Sequence, residues 1–435
     1  MLKRKIIFKI EEWTKTKNRK CLVIQGARQV GKTFAVEHFA QNHYKELIEI
    51  NFKQTPSATE IFSGDLSVEN MVMALRFRFP DRKIIPEKTL IFLDEIQECP
   101  EAITSLKFWA TDNRYDVIAS GSLLGTDYKR ASSYPVGYVD YLKMYGMDFE
   151  EFLWGKGISE DLITALLGYM HSGMPVPEAV HSRMMHYFRE YIATGGMPEV
   201  VQNYLDTSDF RETDRIQRNI KQGYLYDIAH YASAEKKVKA EKCYLSLSRQ
   251  LLDKENHKFQ YKEVAHGGRA QKYYSSIEWL TRADLIYMSR IVSDVCFDLD
   301  DYARDDFFRA YTSDLSLLMA MKDFSLKQHI LENTLNGTTK GGIYECAVAD
   351  ALYKKGYQLY FYKNDSTKRE LDFIIQKDGN VIPIEVKSGN TRATSLTSIM
   401  KSNQDIPYGY KFADSNIGVS EDHIITLPLY MASFI

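Results

Sequence analysis

The sequence predicts an α/β protein of several domains, and three features carry that prediction. Close to the N-terminus, a short apolar run at residues 20–25 is followed by a glycine-containing loop and a helix-like stretch from Phe34 to about Gln41. Two further apolar runs, at residues 89–93 and 115–119, have the length of buried parallel strands. Near the C-terminus, a helix precedes three strand-like runs that carry acidic residues. Alternation of strands and helices is typical of α/β domains.

Length and composition describe a folded protein. The chain has 435 residues, which predicts two to three domains, because a typical domain has about 100–200 residues. Hydrophobic residues make up 44% and charged residues 26% of the chain, a balance that excludes global disorder. The 56 basic and 58 acidic residues give a net charge of −2, so no chain-wide basic excess indicates non-specific nucleic-acid binding.

The cysteines and the apolar runs indicate the cellular compartment in which the protein is expected. Five cysteines, in odd number and without a CxxC pair, predict neither a disulfide framework nor a zinc site. No apolar run reaches the ~18 residues of a membrane span, and the N-terminus lacks a continuous apolar core. We therefore expect a cytoplasmic protein without a membrane partner.

The loop after the first strand has the GxxxxGK[ST] spacing of a phosphate-binding loop. It consists of Gly26, Ala27, Arg28, Gln29, Val30, Gly31, Lys32 and Thr33. The two glycines let the backbone curl around a phosphate with its N–H groups pointing inward. Lys32 then reaches the β- and γ-phosphates, and the Thr33 hydroxyl joins a Mg²⁺ ion. A chance match on an ordinary glycine turn is the alternative, which the flanking strand and helix disfavour.

Two carboxylates follow the apolar run at residues 89–93, where ligands bind at the end of a parallel strand. We expect Asp94 to hold the Mg²⁺ shell and Glu95 to polarise the attacking water. A strand that ends in a solvated acidic turn is the alternative. The next run ends at Ser120 and Ser122, whose hydroxyls either sense the γ-phosphate or cap the following helix.

These strand ends and several further phrases together resemble a known family. The phrases lie at residues 26–33, 93–97, 120–122, 148–152 and 195–199. In this order they are similar to those of bacterial and archaeal AAA-superfamily ATPases that end in a domain of unknown function. The resemblance covers nearly the whole chain. It implies an AAA-type nucleotide-binding domain at residues 1–145, ATP and Mg²⁺ as cofactors, and ATP hydrolysis with Lys32, Glu95 and Ser120 as catalytic residues.

One departure from this family concerns the arginine that completes the ATP site. Many members have a Gly-Arg pair after the third strand, where this chain has the run at residues 135–140 without an arginine. An arginine finger is therefore not carried over to this point. Arg28, Arg130 and later arginines stay open as sources of that charge, and the oligomeric state stays open with them.

The middle of the chain is predicted to be helical. Apolar residues recur at helical spacing from Met147 to about Tyr231, interrupted by Gly195 and Gly196. This stretch resembles the helical lid of AAA proteins, and we assign residues 146–235 to it. We interpret the glycine pair as a helix stop, with Pro198 near the start of the next helix, in preference to a nucleotide contact.

Residues 236–320 show the order helix, turn, helix and strand, which is the outline of a winged helix. Phosphate contacts need basic side chains on one face of a recognition helix. The candidates for a DNA-reading surface are Lys262, His266, Arg269, Lys272, Tyr273 and Tyr274. A protein–protein spacer with solvated charges is an equal alternative. Asp314, farther along, is interpreted as a helix N-cap.

Residues 321–435 are expected to form a small α/β domain of the restriction-endonuclease type. Twelve residues separate Asp372 from the Glu385-x-Lys387 triplet, which matches the D…ExK signature of these folds, and Glu345 matches their N-terminal helical acid. Spacing by two places Glu385 and Lys387 on one face of a strand, with Asp372 on the neighbouring strand.

These acids are candidate ligands of a second divalent metal. Glu345, Asp372 and Glu385 are the expected ligands, with Lys387 beside the attacking species. Glu370, on the same strand face as Asp372, is an alternative ligand. An edge strand with an alternating charged face is the other interpretation, and a nuclease fold without activity stays open because folds outlive activities.

Two hypotheses on function follow. In the first, the chain hydrolyses ATP and its C-terminal domain is a metal-dependent nuclease that acts on DNA. In the second, it is a nucleotide-gated switch or scaffold whose inactive nuclease fold binds a protein or nucleic-acid partner.

Overall fold

The computed structural model describes residues 2–121, 134–252, 258–389 and 391–435. They form two compact units. The N-terminal unit comprises Lys3–Tyr145 and Arg282–Asp284, and the C-terminal unit comprises Gly146–Thr281 and Leu285–Ile435 together with Leu2. Among the described residues, no helix combines the length and the apolar character needed to cross a membrane.

The N-terminal unit is built on a five-stranded parallel sheet, and the three apolar runs of the sequence analysis form three of its strands. The strand order is β2-β3-β4-β1-β5. The elements are α1 (Lys5–Thr14), β1 (Cys21–Gln25), α2 (Lys32–His43), β2 (Glu46–Asn51), α3 (Val68–Arg78), β3 (Thr89–Asp94), α4 (Pro100–Asp112), β4 (Asp116–Gly121) and β5 (Val139–Lys143). Every residue of β3 is buried, which explains its unbroken apolar sequence. The carboxyl ends of β1, β3 and β4 therefore meet at one edge of the sheet.

The first part of the C-terminal unit is helical. Its helices are α5 (Phe149–Gly155), α6 (Glu160–Ser172), α7 (Glu178–Thr194), α8 (Pro198–Thr207), α9 (Phe210–Tyr231), α10 (Lys237–Gln250), α11 (Tyr261–Val264) and α12 (Ala270–Arg282). As predicted, α7 ends before Gly195 and Pro198 opens α8. The order of α10, α11 and α12 followed by a hairpin agrees with the outline expected for residues 236–320, while the winged-helix assignment itself stays a prediction.

The second part of this unit is a mixed eight-stranded sheet. Its strand order is β12-β13-β11-β10-β9-β8-β6-β7. The elements are β6 (Ile286–Val292), β7 (Ala303–Thr312), α13 (Leu315–Ala320), α14 (Phe324–Leu331), α15 (Gly337–Lys354), β8 (Leu359–Asn364), β9 (Arg369–Lys377), β10 (Asn380–Lys387), α16 (Thr394–Ser402), β11 (Gly409–Ala413), β12 (Gly418–Val419) and β13 (Ile424–Pro428).

The sheet runs across the domain boundary that the sequence predicts between residues 320 and 321. Strand β6 pairs in parallel with β8 and antiparallel with β7, so the hairpin of the middle segment becomes the edge of the C-terminal sheet. One hydrophobic core also joins the helices and the sheet, from Phe149 and Phe188 to Ile382 and Tyr430. The backbone groups of β8 need a partner on that side, and β6 supplies it.

A buried ionic network fastens the turn between α7 and α8 inside the C-terminal unit. The Lys354 ammonium lies 2.7 Å from Asp314 Oδ2 and 2.9 Å from Asp350 Oδ2. The other Asp314 oxygen accepts hydrogen bonds from the N–H of Gly196 at 2.9 Å and from the N–H of Ser316 at 2.7 Å. Asp314 thus caps α13, as the sequence predicts, and holds the glycine turn as well. Burial raises the pKa of Asp350 to about 7 despite its contact with Lys354.

Gly195 is the residue on which this turn depends. Its φ is +73°, and a β-carbon would come within 2.0 Å of the Ser316 backbone nitrogen. We expect Gly195→Ala to lower the free energy of unfolding of the C-terminal unit by about 3 kcal/mol or more, because backbone strain adds to a clash with backbone. Thermal and urea unfolding followed by circular dichroism measures this change.

Gly223→Ala is the matched control. Gly223 lies inside α9, and a β-carbon there meets nothing within 4 Å. Helix propensity predicts that this alanine stabilises the protein by about 0.5–1 kcal/mol. Equal unfolding midpoints for the two variants would refute the account of the turn.

Candidate functional site

The phosphate loop of the N-terminal unit joins β1 to α2. It runs from Gly26 to Gly31, and α2 begins at Lys32. Gly31 has a φ of +92°, a conformation that favours glycine, and it precedes the first turn of α2. The first backbone N–H groups of a helix have no partner within the helix, so this end of α2 is suited to hold an anion. The predicted loop residues Ala27, Arg28, Gln29 and Val30 lie between the two glycines.

Lys32 folds back over this loop. Its Nζ donates hydrogen bonds to the carbonyl oxygens of Gly26, at 3.0 Å, and of Ala27, at 2.8 Å. The side chain is buried, and burial lowers the pKa of Lys32, while the carboxylates of Glu95 and Asp94 act in the opposite direction. A phosphate group would give this ammonium the strong anionic partner that two carbonyl oxygens do not.

Asp94, at the end of β3, is the centre of the polar cluster next to the loop. Its Oδ2 accepts hydrogen bonds from the Thr33 hydroxyl at 2.9 Å and from Asn51 Nδ2 at 2.8 Å. Its Oδ1 accepts from the Ser120 hydroxyl and from the Glu95 backbone N–H. The predicted residues of this site therefore do converge, and the Thr33 hydroxyl beside a carboxylate is an oxygen pair suited to Mg²⁺.

Glu95 follows Asp94 in a left-handed conformation, with a φ of +52°. Its carboxylate accepts a hydrogen bond from Gln97 Nε2, which fixes the orientation of the side chain. A non-glycine residue in this strained region at a strand end is common at functional sites. Two other predicted contributors, Ser122 and Arg130, lie outside the described residues.

Asn51 is a site residue that the sequence analysis missed. It ends β2 and stands in register with Asp94 on the neighbouring strand. A signal was present, since Asn51 is a polar residue that directly follows the strand-like stretch Leu47-Ile48-Glu49-Ile50. Only the strand order reveals that Asn51 belongs to the site, because that order places β2 beside β3 and Asp94.

The C-terminal unit holds a second polar cleft, with a volume of about 310 Å³. All five predicted residues line it: Glu345 from α15, Glu370 and Asp372 from β9, and Glu385 and Lys387 from β10. Strands β9 and β10 are antiparallel neighbours, as the hairpin prediction requires. The five charged residues that the sequence analysis singled out therefore lie in one cleft.

Their contacts divide into two groups. Lys387 Nζ lies 2.5 Å from Glu385 Oε1, and the other Glu385 oxygen accepts a hydrogen bond from the Leu396 N–H at 3.1 Å. Burial raises the pKa of Glu385, although the contact with Lys387 acts against this shift. Asp372 Oδ2 accepts from the Val386 N–H at 2.7 Å.

Arg309, on β7, makes the second group and was missed by the sequence analysis. Its guanidinium donates to Glu345 Oε1 at 3.0 Å and to Glu370 Oε1 at 2.6 Å, and lies 4.0 Å from Asp372 Oδ1. The Tyr311 hydroxyl donates to the same Glu345 oxygen at 2.9 Å. Arg309 stands two residues before Tyr311 on one strand face, so strand alternation was a signal, but nothing in the sequence connected β7 to β9.

The cleft residues do not fit the predicted metal site. Within the described part of the chain, there is no group of three or more histidine, cysteine, aspartate or glutamate side chains arranged to hold a metal ion. Glu345 and Glu370 are directed to Arg309, and Glu385 is directed to Lys387. The structure thus brings the predicted ligands into one cleft without arranging them as a ligand set.

Family models match three stretches of the chain. The model described as an AAA domain matches residues 18–153. Models described as domains of unknown function match residues 185–328 (DUF8612) and 340–430 (DUF4143). No curated protein matches the sequence.

Several solved structures show a weak likeness. The Aeropyrum pernix Orc1 protein in complex with DNA is 10% identical, with 77% of this chain and 93% of that chain covered and a TM-score of 0.27. Cdc6p from Pyrobaculum aerophilum is 12% identical, with 76% and 94% covered and a TM-score of 0.26. AMPPCP-bound DnaA from Aquifex aeolicus is 10% identical, with 63% and 86% covered and a TM-score of 0.28. TM-scores this low support no conclusion about this chain.

We expect Asn51→Ala to weaken magnesium-dependent nucleotide binding by about tenfold, since a hydrogen bond to a charged group contributes roughly 1.5–3 kcal/mol. Titration of a fluorescent ATP analogue with and without Mg²⁺ measures this effect. Affinity without Mg²⁺ should change little, because Asn51 acts on the Asp94 carboxylate. The control is Asn42→Ala, because Asn42 is an exposed asparagine on α2 whose Nδ2 donates to the His38 carbonyl oxygen one turn earlier. Equal losses in the two variants would contradict the role of Asn51.

The phosphate loop and the parallel sheet agree with the matched family model, and the nucleotide-binding part of the predicted fold is confirmed: the region at residues 18–153 is a P-loop domain of the AAA type.

Proposed function

We propose that the N-terminal unit binds ATP with Mg²⁺ and hydrolyses it at the carboxyl edge of its sheet. The observation that carries this proposal is the cluster in which Thr33, Asn51 and Ser120 hold the Asp94 carboxylate beside the phosphate loop. Because three side chains already hold this carboxylate, it loses little conformational entropy when a metal-bound nucleotide binds. The site is therefore preorganised.

The residues of the chain divide the work. The loop N–H groups and the N-terminus of α2 bind the phosphates, and the Lys32 ammonium exchanges the carbonyls of Gly26 and Ala27 for phosphate oxygens. Thr33 and Asp94 would hold a Mg²⁺ ion, which would neutralise charge at the phosphates. Glu95, oriented by Gln97, accepts the hydrogen bond of the attacking water and draws its proton away.

Phosphate release from ATP tests this assignment. We expect Glu95→Gln to keep nucleotide affinity and to lower kcat by about a hundredfold or more, because a positioned general base contributes roughly 10²–10⁴ in rate. Lys32→Ala should lose nucleotide binding itself, because it removes the ammonium group that is expected to bind the β- and γ-phosphates.

Two exposed neighbours serve as matched controls. Glu98→Gln changes the same turn as Glu95, and Lys45→Ala removes a lysine just after α2. Both variants should hydrolyse ATP at the native rate. Native hydrolysis by Glu95→Gln would show that another group activates the water.

For the C-terminal unit, we propose a binding role that the nucleotide state controls, with DNA as the partner. The basic side chains Lys262, His266, Arg269 and Lys272 are all exposed, at α11 and at the beginning of α12. Clustered exposed cations at the start of a helix suit contact with a phosphate backbone. The acidic residues of the adjacent β6–β7 hairpin are partly engaged by arginines, since Arg290 pairs with Asp300 and Asp305.

A metal-dependent nuclease is the second candidate for this unit. Convergence of Asp372, Glu385 and Lys387 in one cleft favours it. The direction of the carboxylates toward Arg309 and Lys387 favours the binding role, because each of these contacts engages a carboxylate oxygen that a metal would otherwise use.

One set of assays decides between the two. We expect a fluorescent DNA duplex to bind with different affinity in the presence of ADP and of a non-hydrolysable ATP analogue. The double variant K262A/K272A should weaken binding by about tenfold and reduce its salt dependence, since each lost phosphate contact removes a released counterion. Lys237 and Lys242, exposed on α10, provide the control pair as K237A/K242A.

The same duplex incubated with Mg²⁺ or Mn²⁺ should stay intact. Cleavage that Glu385→Gln abolishes and Glu421→Gln, an exposed control, leaves unchanged would establish the nuclease in place of the binding role.

A further inference from the structure

We propose that the Arg309 guanidinium is the resident cation of the C-terminal cleft and that it excludes divalent metal ions from the carboxylates of Glu345, Glu370 and Asp372. This inference concerns the cleft alone and does not depend on ATP hydrolysis in the N-terminal unit. It makes Arg309 a residue that determines which ligands the cleft accepts.

The position of the guanidinium is the first argument. Its Nη1 and Nη2 atoms contact Glu345 and Glu370, which come from different elements, α15 and β9. The same Nη1 lies 4.0 Å from an Asp372 oxygen and 3.4 Å from the Asp372 backbone oxygen. One positive group therefore bridges the acids that a metal would have to bridge.

Confinement of Arg309 is the second argument. Its side chain is 8% exposed, and its guanidinium carbon lies 4.6 Å from the centre of the Phe361 ring. Arginine stays protonated at every physiological pH, so the guanidinium keeps its positive charge in the cleft. Displacement would cost both the ring contact and the charge-assisted hydrogen bonds.

The contacts of Glu385 and of the second Asp372 oxygen give the third argument. Glu385 is engaged by Lys387 and by the Leu396 N–H, and the second Asp372 oxygen by the Val386 N–H. Four carboxylates thus face two cations at close range, and each of them has a partner within the fold. A divalent ion entering the cleft would have to break these contacts and stand next to a fixed positive charge.

Manganese binding to the 435-residue chain without nucleotide tests the proposal. Free Mn²⁺ is counted by electron paramagnetic resonance, with Mn²⁺ as the probe. We expect the native chain and Asp372→Asn to give the same titration, because neither holds Mn²⁺ in the cleft. Arg309→Gln should gain one binding site at least about tenfold tighter than any cleft binding in the native chain, and the double variant R309Q/D372N should lose it.

Arg309→Lys separates charge from packing. A lysine keeps the positive charge and should gain no Mn²⁺ site, although it cannot reproduce the two-pronged contact. Circular dichroism of each variant reports whether it is folded.

Two results would overturn the proposal. One is a native Mn²⁺ site that Asp372→Asn removes, and the other is a folded Arg309→Gln variant that gains no site. If Arg309→Gln does not fold, Arg309→Met takes its place in the same titration, and a native Mn²⁺ site that Asp372→Asn removes still overturns the proposal.

Discussion

A single buried ammonium group, that of Lys354, connects the parts of the C-terminal unit that the chain places far apart. An unpaired charge in this position would cost several kcal/mol, so its two carboxylate partners are a requirement of the fold. Asp314 meets that requirement and at the same time caps α13 and receives the N–H of Gly196. The turn between α7 and α8, the start of α13 and the end of α15 are thereby tied to one charge. This explains why a glycine pair and a distant aspartate are both parts of one structural device.

The two candidate sites also centre on buried cations, and the difference between their surroundings separates their chemistry. Lys32 is hydrogen-bonded to two carbonyl oxygens of its own loop, which are weaker partners than anions. A phosphate that binds to the loop would give the Lys32 ammonium a stronger, anionic partner. Arg309 already stands among carboxylates, so acids of the C-terminal cleft have a cationic partner from within the fold. The first site is built to accept an anionic ligand, while the acids of the second site already have cationic partners within the fold.

Much of both sites could be predicted from sequence because their residues are close in the chain or follow a fixed period. The phosphate loop is one continuous segment, and Glu385 with Lys387 obeys the alternation of a strand. Asn51 and Arg309 could not be predicted in the same way. Asn51 enters its site because β2 lies beside β3, and Arg309 enters its site because β7 joins the C-terminal sheet through β6. No local sequence pattern predicts which strands become neighbours in a sheet.

The sequence by itself determined the parallel sheet with its phosphate loop, the Asp94–Glu95 pair at a strand end, the glycine stop after α7 and the assembly of five charged residues in one C-terminal cleft. Local spacing and hydrophobic periodicity are sufficient for most of these features, since they depend on neighbours in the chain or on one hairpin, while Glu345 was identified by its match to the helical acid of the restriction-endonuclease signature. Tertiary structure alone decided that the hairpin of the middle segment extends the C-terminal sheet and that an arginine lies among its acids. The physical reason is that the backbone groups of a strand edge need hydrogen-bond partners and buried carboxylates need cationic partners. The tertiary fold decides which strand and which cation come close enough to be those partners.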